Sequence, residues 1–120
     1  MKIAQQLKEK NIAEYLIYMW QVEDLLRANG CDIDRIRQNI ILRYPEEERP
    51  ALEEWYGNLA GMMRAEGVTE KGHLQINRNV ILNLTELHGE LLASTKYPFY
   101  NAAYFKALPF ICLLYTSDAA

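Results

Sequence analysis

Apolar side chains recur at three- and four-residue steps along nearly the whole chain, a period that admits helix and little else. The clearest stripe is Ile12, Tyr15, Leu16, Met19, Val22, Leu25 and Leu26. Ile17 and Trp20 widen it, so this helix is expected to be contacted on two sides. The spacing predicts a first helix from about Ile3 to Asn29, closed by Gly30 as a left-handed C-terminal residue.

The same reading continues between punctuating residues. Asp32 offers an N-cap for a second helix over Ile33 to Arg43, with Ile33, Ile36, Ile40 and Ile41 inward. Tyr44-Pro45 ends it, because a residue before proline is pushed out of the helical region. A third helix is expected from Pro45 or Glu46, where Glu46, Glu47 and Glu48 suit the positive end of the helix dipole. Pro50 either sits in its first turn or marks a later start. Leu52, Trp55, Tyr56, Leu59, Met62 and Met63 form its apolar face, and Gly67 stops it. A fourth helix should run from His73 to Ser94, with Thr69 as a candidate cap and Val80, Ile81, Leu84, Leu87, His88 and Leu91 on one face. Lys96-Tyr97-Pro98 breaks it. A fifth covers Phe99 to Leu108, and Pro109 interrupts it. No strand alternation, hairpin signal or repeat is visible. The expectation is therefore an all-α fold, an antiparallel bundle of four to five helices joined by short connections. Leu16, Met19, Trp20, Leu59, Ile81 and Leu84 should be largely buried in it.

Composition narrows the function classes. Half of the 120 residues are apolar, enough for a core at this length, and 24% are charged. A formal net charge of -3 gives nucleic-acid binding no electrostatic support. The strongest apolar run, Tyr15 to Trp20, is far too short to span a bilayer. The opening Met1-Lys2-Ile3-Ala4-Gln5-Gln6-Leu7-Lys8-Glu9-Lys10 lacks the apolar stretch of a secretory signal, so a cytoplasmic location is expected. Cys31 and Cys112 could form one bridge at most, and nothing points to an oxidising compartment.

Three stretches carry a family likeness. They are the opening through Asn11-Ile12-Ala13-Glu14-Tyr15, the segment Met19-Trp20-Gln21-Val22-Glu23-Asp24, and Tyr97-Pro98-Phe99-Tyr100-Asn101-Ala102-Ala103-Tyr104. In these the chain resembles an uncharacterised bacterial family catalogued as a domain of unknown function. The resemblance covers residues 1–111. It implies an all-helical fold in proteins longer than this chain, and it brings no mechanism. The last nine residues, Cys112-Leu113-Leu114-Tyr115-Thr116-Ser117-Asp118-Ala119-Ala120, resemble something else: the translation of a transposase-type sequencing adapter. The corresponding expectation is a single helical domain over 1–111, incomplete at its C-terminus, followed by a non-native tail over 112–120.

Candidate chemistry is sparse. A di-iron bundle wants Glu-x-x-His pairs, yet His88 has Glu86 and Glu90 two residues away on either side, off its helix face. His73 follows Glu70 by three, but Gly72 intervenes. No metal site and no cofactor is expected. Cys31 stands near a helix start, which could lower its pKa, but Asp32 and Asp34 oppose that and no histidine is placed beside it by sequence. The six glycines make no phosphate-binding loop. Asn83-Leu84-Thr85 fits a glycosylation pattern only inside an amphipathic helix, and is discounted. Arg35, Arg37 and Arg43 form a small basic face that Asp32 and Asp34 nearly cancel.

The aromatics are the most informative group. Tyr97, Phe99, Tyr100, Tyr104, Phe105 and Phe110 crowd into fourteen positions. Bundle core is the ordinary reading of such a cluster; a partner surface, where Tyr, Trp and Met are enriched, is the functional one. The leading functional expectation is a non-enzymatic protein acting through protein–protein contact or self-association, with those six residues as its surface. The alternative is a ligand-binding or enzymatic bundle with a polar site drawn from Glu14, Gln21, Glu23, Asn83, His88 and residues beyond this C-terminus.

Overall fold

The computed structural model describes residues 2–119, with side chains as far as Leu114. It contains six α-helices: α1 (Lys2–Lys10), α2 (Ile12–Ala28), α3 (Ile33–Asn39), α4 (Arg49–Glu66), α5 (Gln75–Ala93) and α6 (Pro98–Ala119). Single 3-10 turns lie at Ile41–Arg43 and Glu46–Glu48, and there is no strand among the described residues. The chain is therefore all-α, as its periodicity predicts. It divides into two compact units, Met1–Val80 and Ile81–Ala120.

Helix ends in the first unit follow local chemistry. The N–H of Gly30 bonds the carbonyl of Arg27 and that of Cys31 the carbonyl of Leu26. This paired closure needs a left-handed residue, and Gly30 supplies it at φ 64. α4 ends the same way: Gly67 stands at φ 72, bonded to Arg64, with Val68 bonded to Met63. Asp32 caps α3 by accepting from the N–H of Asp34 at 3.0 Å. Pro50 sits in the first turn of α4, where its missing N–H costs nothing.

Three boundaries differ from expectation. The first predicted helix is two helices, broken at Asn11, whose backbone is extended (φ -154) and whose side chain accepts from the N–H of Glu14. A capping residue thus overrides a continuous apolar period. The second helix is shorter than predicted, because Ile40 leaves helical geometry (φ -123) and the chain tightens into the turn at Ile41–Arg43. Pro109 does not interrupt the last helix, which runs on through it. Proline removes the bond that would close on Phe105, a residue at the exposed surface where solvent can take its carbonyl.

The core of the first unit gathers Met19, Val22 and Leu26 from α2, Ile36 from α3, Leu59, Ala60 and Met63 from α4, and Leu74 ahead of α5. Leu16, Met19 and Leu59 are buried as expected, whereas Trp20, Ile81 and Leu84 are only half-buried. Arginines tie the connections down. Arg27 donates to the carbonyls of Val68, at 3.1 Å, and Gly72, and Arg64 donates to that of Cys31. The Arg27 bonds hold the 67–74 segment against α2, and α5 begins only at Gln75, so Thr69 does not cap it.

Candidate functional site

α6 is the most unusual element of the second unit. Between Pro98 and Leu114 its only charged residue is Lys106. A helix apolar on all sides belongs inside a larger assembly. At about 3.6 residues per turn, Tyr100, Asn101, Tyr104 and Leu108 share one face, and these four are half-buried. Phe99, Ala102, Ala103, Lys106, Phe110 and Leu113 lie on the opposite face, all exposed. Phe99 is 88% exposed and Phe110 68%. Phe105, at 62%, flanks that face, and Tyr97, just ahead of the helix, is 52% exposed. The ordinary core reading thus fails for Tyr97, Phe99, Phe105 and Phe110, and holds in part for Tyr100 and Tyr104.

The half-buried face packs on α5 through His88. Its Nδ1 and the hydroxyl of Tyr100 share a hydrogen bond of 2.5 Å, and its ring lies edge-on to Tyr104 at 4.5 Å between centroids. Nδ2 of Asn101 donates to the carbonyl of Leu92 at 3.2 Å. His88 is therefore a boundary histidine held by two tyrosines, which is a packing role.

In the first unit the notable group is Glu23, whose side chain is wholly buried. Three donors converge on it. The backbone N–H of Leu74 reaches Oε2 at 3.0 Å, while Nδ2 of Asn77 and Nδ1 of His73 reach Oε1 at 3.1 and 3.3 Å. The guanidinium of Arg27 stands 3.9 Å away. Four orphan N–H groups open every helix, and here a distant carboxylate takes the one that leads into α5, at the positive end of its dipole. A second carboxylate, Glu66, accepts from the N–H of Gln75 at 2.8 Å. His73 also rests against Trp20, 5.3 Å between ring centroids. A carboxylate that orients a histidine occurs in catalytic triads, but the contacts of His73 are with Glu23 and Trp20, neither a nucleophile. The arrangement does structural work: it closes the start of α5.

The other sequence candidates resolve into ordinary roles. Glu14 and Gln21 are exposed, so they do not join Glu23 in an inward polar group. Asn83 is exposed as well. Cys31 is fully buried, and burial pushes its thiol up against the opposing pull of Arg27 and Arg64. A reactive thiolate needs the reverse. Arg37 bonds Asp34 at 2.9 Å and Glu53, which holds the Glu53 carboxyl below its ordinary range. No group of three or more His, Cys, Asp or Glu side chains is gathered for a metal among the described residues. No helix among them is long and apolar enough to cross a membrane.

His73 and Asn77 had no sequence signal as partners of Glu23, since they lie 50 and 54 residues from it, whereas Arg27 stands at the i+4 spacing that brings opposite charges together on a helix. Comparison with known proteins adds one finding. The sequence profile of the family described as Domain of unknown function (DUF4924) matches residues 1–119. No curated protein and no solved structure matches the chain.

Proposed function

The chain belongs to the DUF4924 family of unknown function, and from its own surface we propose that it is a non-enzymatic protein acting through protein–protein contact, joining two copies by the outer face of α6. The single observation behind this reading is the exposure of Phe99 and Phe110 on a helix whose 98–114 stretch has one charge. Exposed contiguous apolar surface is costly in water and marks interaction sites.

Self-pairing is supported by the order of residues. An isologous contact places the same patch against itself about a two-fold axis. If two α6 helices run antiparallel about a point between Tyr104 and Phe105, Phe99 of one copy meets Phe110 of the other. Ala103 then meets Lys106, whose aliphatic stem covers the small residue while its ammonium reaches solvent. Alanines at 102 and 103 let the helices approach closely. Every residue in this pairing precedes Cys112.

A cytoplasmic, bacterial setting is part of the same proposal; the buried free thiol of Cys31 fits a reducing compartment. The alternative of a polar ligand or catalytic site built on Glu14, Gln21 and Glu23 has no comparable support, since Glu14 and Gln21 face solvent and Glu23 is occupied by helix N–H and side-chain donors.

Cysteine cross-linking tests the geometry. In a Cys112→Ser background, Phe99→Cys combined with Phe110→Cys should give a covalent dimer on mild oxidation. Phe99→Cys alone should give little, because an antiparallel pairing holds the two copies of position 99 apart. Equal cross-linking of single and double variants would contradict the antiparallel arrangement.

A further inference from the structure

The geometry points to a binding cleft in the first unit for a small carboxylate with an apolar tail of about seven carbons. The cleft measures about 260 Å³ and lies between α1, α2 and α4, with Ile76 of α5 at its rim. Its floor is Ala4, Met19 and Leu59, all buried, and its walls are the rings of Tyr15 and Trp55. Lys8 and Gln5 are the lining residues of α1 with polar side chains.

Ligand sites are mostly apolar, with a few polar groups that fix orientation, and this lining has that make-up. At roughly 30 Å³ per heavy atom, the share of liquid volume a water occupies, the space takes about nine heavy atoms. That is a short chain, not a nucleotide or a large cofactor.

Charge selects the head group. The ammonium of Lys8 sits 5.7 Å from the centroid of the Tyr15 ring, at the cleft, and no described carboxylate pairs with it. α1 carries Lys2, Lys8 and Lys10 against Glu9 alone, so this edge is locally cationic although the chain as a whole is at -3. An anionic head therefore meets a cation at the mouth while its tail covers the Met19 and Leu59 floor. A cationic amphiphile would be repelled there.

Octanoate is the probe. Titration calorimetry of the whole chain should show saturable one-to-one binding, with the Met19 methyl resonance shifting along the same isotherm. Two surface variants locate the site. Ile76→Trp, which fills the cleft from its exposed rim, should weaken binding at least tenfold. Lys8→Gln should weaken octanoate about threefold, the scale of one exposed ion pair, and leave neutral octanol unchanged. The proposal is overturned by no saturable binding below the concentration at which octanoate self-associates. It is overturned equally by binding that Ile76→Trp leaves intact, or by octanol binding as tightly as octanoate. None of these outcomes bears on pairing through α6, because both substitutions lie in the first unit.

Discussion

The carboxylate of Glu23 accepts a hydrogen bond of 3.0 Å from the backbone N–H of Leu74, a residue 51 positions later in the chain. One buried side chain of α2 thereby does for α5 what a local cap does for α2 and α3. The same carboxylate holds Asn77 and His73 in place and faces Arg27.

Removing that carboxylate should be among the costlier single changes in the first unit. Glu23→Ala leaves the Leu74 N–H and the Asn77 amide buried without an acceptor. Breaking one side of a buried charged pair costs about 3–5 kcal/mol. Glu23→Gln keeps one acceptor oxygen and should cost about 1.5–3 kcal/mol, the worth of a hydrogen bond to a charged group. Urea denaturation of the two variants beside wild type checks the order. Variants within 0.5 kcal/mol of wild type, on the order of an ordinary surface change, would show that Glu23 does not hold α5.

Gly67 separates backbone strain from packing. A Cβ added there meets nothing within 4 Å, yet the backbone stands at φ 72. Gly67→Ala should therefore destabilise by about 1 kcal/mol through conformation alone. Gly67→Asn should recover much of that loss, because asparagine tolerates the left-handed region. Thermal unfolding of the pair decides it, and an Ala variant as stable as wild type would contradict the closure described for α4.

The Arg37–Glu53 pair makes a pH-dependent contribution. Arg37 lowers the Glu53 carboxyl below its ordinary value of 4.5 in the folded chain. A depressed folded pKa adds stability that is present above the unfolded value and is lost as pH falls through the folded one. Glu53→Gln should accordingly lower the melting temperature slightly at pH 7, and the gap to wild type should close as pH drops below 4.5. Both side chains are substantially exposed, so the gap should also shrink in high salt. A gap that widens on acidification would have the wrong sign for this pair.

Much of the fold was legible because its signals are local. Gly30 and Gly67 end helices where only a left-handed residue closes the turn, Asp32 accepts from the N–H two residues on, and Tyr44-Pro45 stops a helix by steric clash. The Asn11 break was also written locally, in an asparagine followed three residues on by Glu14, but the uninterrupted apolar stripe concealed it. What could not be read was long-range. Nothing near Leu74 shows that its N–H is capped from α2, and nothing near Glu23 shows that it is buried. Periodicity gives the faces of α6 but not which face is covered, so six aromatics that looked like core divide into two that pack against His88 and four that face outward.

The origin of the last nine residues is testable outside the structure. If they are translated adapter, the gene read from an independent library carries different residues from Cys112 onward. The family profile runs to residue 119 and so crosses this junction. Recovery of the same nine codons followed by a stop would establish them as native sequence.

Sedimentation velocity over a range of protein concentrations tests pairing through α6 most directly. The wild-type chain should move from monomer to dimer as concentration rises, and Phe99→Ser with Phe110→Ser should stay monomeric at every concentration while keeping its helical circular dichroism. Burial of the two rings against their counterparts should be worth about 1.5–3 kcal/mol per ring, so the dimer constant should fall by at least tenfold even for one substitution. A wild-type chain that remains monomeric up to millimolar concentration, or a double variant that dimerises as wild type does, would contradict the account.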